Sequence, residues 1–260
     1  MTNFESLRDY WYFSHSVRNS NRYIFDDKVQ TFIKAVSQTC RSRQGEIPSG
    51  TKLLRAQLGC TSRPIIQDDE YVADEEWPYP LERMVPIKGR SSEGRANPNG
   101  ITYLYLANDK DTACAEVRPY KGAFVSVGVF KIKRELKVID CTIRIEELKK
   151  GRIYIEEPDP ETRERMVWAE INKAFSKPVN PHDPETEYVP TQIIAELFRK
   201  EGFDGLLCQS SLVENGINVV LFDVNDAEMT SCWLTETKNI SVDFNHRKYG
   251  YACKEKIKSE

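Results

Sequence analysis

The sequence has little histidine, no long apolar run and no excess of charge of one sign. Its 260 residues include 3 histidines, and 37 lysines and arginines nearly balance 40 aspartates and glutamates. This balance argues against a protein that binds nucleic acid by general electrostatic attraction. No apolar stretch approaches the ~18–20 residues that a membrane-spanning helix needs, and no basic segment followed by an apolar one opens the chain. We therefore expect neither a membrane span nor a signal peptide.

Motifs of several common sites are also missing. The seven cysteines include no C-x-x-C pair, which argues against zinc ribbons and redox pairs, and we expect free thiols in a reducing cytoplasm. There is no G-x-G-x-x-G and no H-E-x-x-H. Residues 89–96 have P-loop glycine spacing, but Arg95 replaces the lysine and Ala96 the Ser/Thr. The sequence thus predicts no Rossmann dinucleotide site, no P-loop and no zinc site.

The patterning divides the chain into three segments. Residues 1–48 predict an N-terminal helical extension, residues 49–225 a main domain, and residues 226–260 a strand extension followed by a basic tail. The mixture of antiparallel strands and flanking helices in the main domain predicts a compact α+β fold. The helical face of the first segment follows Asp26 or Asp27 as a cap and is formed by Val29, Phe32, Ile33 and Val36.

Within the main domain, turn residues and apolar patterns set the expected elements. Residues 123–132 and 136–140 predict two strands joined by a tight turn, and residues 68–76, with six acids and no base, predict a solvated loop. Pro160 and Pro190 are each expected to open a helix. Further strands are expected at 51–58, 101–107, 203–208 and 217–224.

Several polar residues stand in unusual surroundings. Arg55 interrupts an apolar strand, Arg95 lies in a loop of small residues, and Glu116 follows small residues on a short helix. Each also fits an ordinary role: Arg55 as an outward charge on an edge strand, Arg95 in a solvated loop, Glu116 on a helix surface. Tyr105 fits a core aromatic and Ser210 a turn serine in the same way.

Taken in order along the chain, these residues resemble the RES domain family, which is named for its Arg, Glu and Ser. The resemblance spans roughly residues 50–225. It departs from the family at two positions, where Ala96 and Cys208 stand in place of aromatic residues. The motifs that carry the resemblance are Leu53–Ala56, Gly94–Gly100, Tyr103–Ala107 with Glu116 eleven residues after Tyr105, Phe203–Ser210 and Asn218–Phe222.

The resemblance implies a fold similar to ADP-ribosyltransferase toxins and an activity that consumes NAD⁺. Arg55 and Arg95 would then hold the pyrophosphate, because a guanidinium can bind two oxygens at once and stays charged. Glu116 would stabilise the positive charge that develops on the ribose. The expected catalytic residues are Glu116, Arg55 and Tyr105, and the expected substrate-binding residues are Arg55, Arg95, Tyr105, Ser210 and Asn218.

The resemblance leaves the acceptor open. Water would make the protein an NAD⁺ glycohydrolase, inorganic phosphate a phosphorylase, and a protein side chain an ADP-ribosyltransferase. A domain that binds NAD⁺ or ADP-ribose without turnover is the competing class. We expect no cofactor beyond NAD⁺ as substrate, with phosphate as a candidate co-substrate, and no metal. The family also implies a cytoplasmic toxin with a cognate antitoxin as partner; self-association of the chain stays open.

Overall fold

The secondary structure comes from a computed structural model that describes residues 4–143, 156–177 and 185–241. Six helices and ten strands are found there. The helices are α1 (Asp9–Asn19), α2 (Asp27–Thr39), α3 (Leu81–Met84), α4 (Lys110–Glu116), α5 (Pro160–Ser176) and α6 (Val189–Lys200). The strands are β1 (Gln44–Ile47), β2 (Lys52–Leu58), β3 (Thr61–Gln67), β4 (Glu70–Trp77), β5 (Leu104–Ala107), β6 (Phe124–Ile132), β7 (Leu136–Asp140), β8 (Gly205–Gln209), β9 (Ile217–Leu221) and β10 (Ala227–Glu236).

Eight strands form one sheet in the order β1-β7-β8-β9-β5-β2-β6-β10. All neighbours are antiparallel except β7 and β8, which are parallel. The fold is therefore α+β with a mostly antiparallel sheet and flanking helices, as the sequence predicts. The hairpin expected between β6 and β7 is wrong. β7 lies inside the sheet between β1 and β8, and β6 lies between β2 and β10. Val138 and Ile139 of β7 belong to cores on opposite faces of the sheet.

The acidic run predicted as a loop is a strand. In the described chain, β4 pairs with β3 in a separate two-stranded hairpin whose residues are almost all exposed, as expected for this charged segment. Asp68 and Asp69 form its two-residue turn with φ of 53° and 65°. Positive φ at both central residues matches the right-handed twist of a hairpin. Tyr71, Val72 and Trp77 supply strand propensity that outweighs the acidic composition.

The N-terminal helices share the largest core with the rest of the domain. The rings of Phe13 in α1 and Phe32 in α2 stack with centroids 4.5 Å apart, in one cluster with Trp168 of α5 and Phe198 of α6. β1 also pairs with β7 at one edge of the sheet. The segment before residue 48 thus contains α1 and α2, but it also contains β1, and it shares its core with the rest of the domain. At the other end, β10 pairs with β6, and the basic tail beyond 241 lies outside the described residues.

Side-chain caps fix where the helices begin. Asp26 accepts a hydrogen bond from the Val29 amide at 2.8 Å and so caps α2. Asp109 accepts one from the Thr112 amide at 2.8 Å and caps α4. The second cap matters for the site, because α4 runs for two turns from Asp109 and ends at Glu116.

The six cysteines of the described chain are free thiols, as the spacing predicts. Burial raises the pKa of Cys40 to about 11 and that of Cys208 to about 12. These thiols therefore stay protonated near neutral pH and act as apolar side chains.

Across the described ranges, we find no helix long and apolar enough to cross a bilayer.

Candidate active site

A cavity of about 320 Å³ lies where β2, β5 and β9 meet α4, the loop around Arg95 and the end of α5. Five of the six predicted site residues line it: Arg55, Arg95, Tyr105, Glu116 and Asn218. The sixth, Ser210, reaches the same place through a hydrogen bond to Glu116. The sheet and α4 thus bring together residues that are far apart in the sequence.

Arg55 places a half-buried positive charge in the wall of the cavity. β2 lies between β5 and β6, so the edge-strand interpretation of this arginine is wrong. Its Nη1 donates to the Tyr105 carbonyl at 3.2 Å, while its Nε is buried without a partner. Burial lowers the pKa of the Arg55 guanidinium, and no carboxylate among the described residues pairs with it. A guanidinium keeps its proton at neutral pH, so this wall has a charge that an anionic ligand can balance.

Arg95 lies in a loop that side chains from elsewhere hold in place. Its Nη1 donates to the Ala174 carbonyl at 3.3 Å, and its guanidinium lies 5.2 Å from the ring centroid of Tyr188. Gln192 of α6 donates from Nε2 to the carbonyls of Gly94 at 3.0 Å and Asn97 at 3.1 Å. The loop is therefore fixed to α6 rather than freely solvated.

The hydroxyl of Tyr105 also holds the loop that bears Arg95 in place. Its Oη donates to Asn97 Oδ1 at 2.7 Å and accepts from the Ala96 amide at 3.0 Å. Burial raises the pKa of this phenol well above its usual value. The hydroxyl therefore stays protonated at neutral pH. In this arrangement, Tyr105 positions the loop that bears Arg95 and presents its ring to the cavity.

Glu116 is held by two donors at the mouth of the cavity. Its Oε1 accepts from Ser210 Oγ at 2.9 Å and from Asn218 Nδ2 at 2.7 Å. Its Oε2 has no hydrogen-bond partner among the described residues. The Ser210 hydroxyl thus donates to a carboxylate, which orients Glu116 and leaves one carboxylate oxygen for a ligand.

The structure adds residues that the sequence interpretation missed. Arg118, Phe175 and Lys177 line the cavity, and Asn97 and Gln192 hold the Arg95 loop. Phe175 and Lys177 give no local signal, because only the packing of α5 brings them to the site. Arg118 gives a partial one, since it stands between the end of a short helix and Pro119.

Comparisons with known proteins identify the family of this chain. No curated protein matches the chain. A solved structure, the crystal structure of the M. tuberculosis MbcT–MbcA toxin–antitoxin complex, is 13% identical over 78% of this chain and 92% of that chain, with a TM-score of 0.41. The RES domain matches residues 69–242, which is more than half of the chain. That range contains every predicted site residue except Arg55, and this protein belongs to the RES domain family.

Proposed function

We propose that this protein binds NAD⁺ in the cavity and cleaves the bond between nicotinamide and ribose. The observation that carries the proposal is the half-buried Arg55 guanidinium, whose Nε is fully buried without a partner, which has no carboxylate partner among the described residues, and which lines the same cavity as the oriented Glu116. A buried cation without a partner is costly unless a ligand supplies the anion. A pyrophosphate supplies it, with oxygens that suit the planar guanidinium.

Glu116 is the residue we assign to the bond-breaking step. When the C1′–N bond breaks, its electron pair leaves with the nicotinamide, and positive charge develops on the ribose as in glycoside cleavage. A fixed carboxylate stabilises this charge more in the transition state than in the ground state. Ser210 and Asn218 engage Oε1 of Glu116, so Oε2 can face the ribose or one of its hydroxyls.

The acceptor completes the reaction at C1′. Inorganic phosphate would form a bond from one of its oxygens to this carbon and give nicotinamide and an ADP-ribose that carries the phosphate there. Water would give ADP-ribose, nicotinamide and a proton. We propose phosphate or water, since the family contains NAD⁺-degrading toxins, and we propose that a cognate antitoxin restrains the protein.

Mass spectrometry of the ribose product, in phosphate buffer and in phosphate-free buffer, tests the acceptor. A product that carries phosphate identifies a phosphorylase, and ADP-ribose in both buffers identifies a glycohydrolase. ADP-ribose attached to a protein would instead favour a transferase. Bound but intact NAD⁺ in every condition would favour a binding module and contradict the proposal.

The Arg95 loop supplies a test of how the site is built. A Cβ at Gly94 would lie 2.7 Å from Tyr105 Oη and 2.9 Å from Asn97 Oδ1. Both distances are too short, so the loop or these two side chains must move. We expect Gly94→Ala to lower kcat/KM for NAD⁺ by about 10-fold or more, because of this movement.

The double variant Gly94→Ala/Tyr105→Phe removes the hydroxyl that the new methyl group meets, so its effect should be smaller than the sum of the two single effects. Gly45→Ala is the matched control, since its Cβ would make only ordinary contacts, the nearest at 3.7 Å. Additive effects of Gly94→Ala and Tyr105→Phe would contradict this description of the loop.

A further inference from the structure

Arg118 has a backbone conformation that its residue type does not favour. It follows Val117, the C-cap of α4, and has φ of +47°. Helices often end in this left-handed conformation, but the residue there is usually glycine, since a side chain adds a steric cost. Pro119 follows directly and disfavours right-handed helix at position 118. The fold thus needs a turn here, and a glycine would make it at lower cost.

The Arg118 side chain also has no polar partner among the described residues. It is exposed and lines the cavity, two residues after Glu116, yet it makes no hydrogen bond or ion pair with another described residue. The other cations of the cavity wall have contacts within the protein. Arg55 donates to the Tyr105 carbonyl, Arg95 donates to the Ala174 carbonyl, and Lys177 pairs with Glu187 at 3.0 Å.

We propose that Arg118 binds phosphate oxygens at the mouth of the cavity. The inference rests on the proposed function and adds a binding residue to it. A guanidinium is suited to this ligand because its donors match two phosphate oxygens. Two sources supply the same chemistry: the pyrophosphate of NAD⁺, and inorganic phosphate as the acceptor. The strained backbone is then the cost of keeping a guanidinium at the cavity, two residues after Glu116.

A second interpretation of Arg118 is purely structural. A cation after a helix C-terminus interacts favourably with the helix dipole. In that case, replacing Arg118 would change stability and leave ligand binding unchanged. The two interpretations therefore predict different results for one variant.

The test compares Arg118→Gly with Arg118→Lys and the wild-type protein. Glycine adopts the left-handed turn without strain, so the thermal midpoint of Arg118→Gly should stay the same or rise. Because the active protein would consume NAD⁺, calorimetric Kd values for NAD⁺ and for inorganic phosphate are measured with Glu116→Gln added to each protein, and the KM for each ligand is measured without it. We expect Arg118→Gly to raise Kd and KM by about 10- to 100-fold for one of the two ligands, and Arg118→Lys to recover part of the loss. The ligand affected identifies the source of the phosphate group.

Asp69→Gly is the matched control, because Asp69 has φ of 65° in the exposed β3–β4 turn away from the cavity. It should leave both Kd values unchanged. Unchanged Kd values for both ligands in Arg118→Gly would overturn the inference while leaving the proposed function intact. Failure of the wild-type protein to release nicotinamide would instead remove the proposed function, and the two Kd values would still decide whether Arg118 binds phosphate.

Discussion

Glu116→Gln should slow the release of nicotinamide from NAD⁺ by about 100- to 1000-fold, because in the proposed reaction it removes the negative charge that would face the developing positive charge on the ribose. The amide keeps the size of the side chain, and its oxygen can still accept from Ser210 and Asn218, as Oε1 does now. We therefore expect the loss in kcat, with a smaller change in KM, as measured by steady-state kinetics.

Asp111→Asn provides the control on the same helix, since Asp111 is exposed in the first turn of α4 and does not line the cavity. It should keep nearly full activity. Induced expression in a bacterial host gives a second measurement: the wild-type protein should arrest growth, and Glu116→Gln should relieve the arrest. Arrest that persists in Glu116→Gln, or a kcat equal to that of the wild-type protein, would contradict the role assigned to Glu116.

Arg55→Met should make the protein more stable and nearly inactive. Methionine replaces the apolar part of the arginine side chain and removes a half-buried charge that has no carboxylate partner among the described residues. We expect the free energy of unfolding in urea to rise by about 1–3 kcal/mol. We also expect kcat/KM for NAD⁺ to fall by about 100-fold, because the charged hydrogen bonds to the pyrophosphate are lost.

Arg134→Met should behave in the opposite way. Arg134 Nε donates to Asp226 Oδ1 at 2.8 Å and its Nη2 to Asp204 Oδ1 at 2.7 Å, so its removal leaves two carboxylates without this partner. Because the Arg134 side chain is half exposed, this variant should lose only about 1 kcal/mol of stability, and it should keep its activity. An Arg55→Met protein that is less stable than the wild type, with unchanged kinetics, would show that Arg55 serves the fold instead of the ligand.

The sequence predicts the local features of this structure. Aspartate caps, prolines at helix starts and apolar spacing set the positions of α2, α4, α5 and α6, because these signals act within one or two turns. Arg55 stood out for a similar reason, since a charge in an apolar strand either faces solvent or serves a site. The choice between these two depends on whether β2 lies at the edge of the sheet, which its own residues do not decide.

The sequence does not predict features that depend on packing between distant segments of the chain. β6 and β7 follow each other in the chain but pair with other strands, β6 with β2 and β10 and β7 with β1 and β8. Both strands are largely buried, and their own residues do not specify which strands lie beside them. Lys177 and Arg118 reach the cavity from the ends of two helices that the sequence does not show to be adjacent. The acidic residues of β4 favour a loop prediction, although Tyr71, Val72 and Trp77 are residue types that favour a strand.

Release of nicotinamide from NAD⁺ by the purified full-length protein in phosphate buffer, followed over time, tests the central claim most directly. Our account predicts many moles of nicotinamide per mole of protein, and almost none from Glu116→Gln under the same conditions. Intact NAD⁺ after prolonged incubation with a folded wild-type protein free of any bound inhibitor would contradict it.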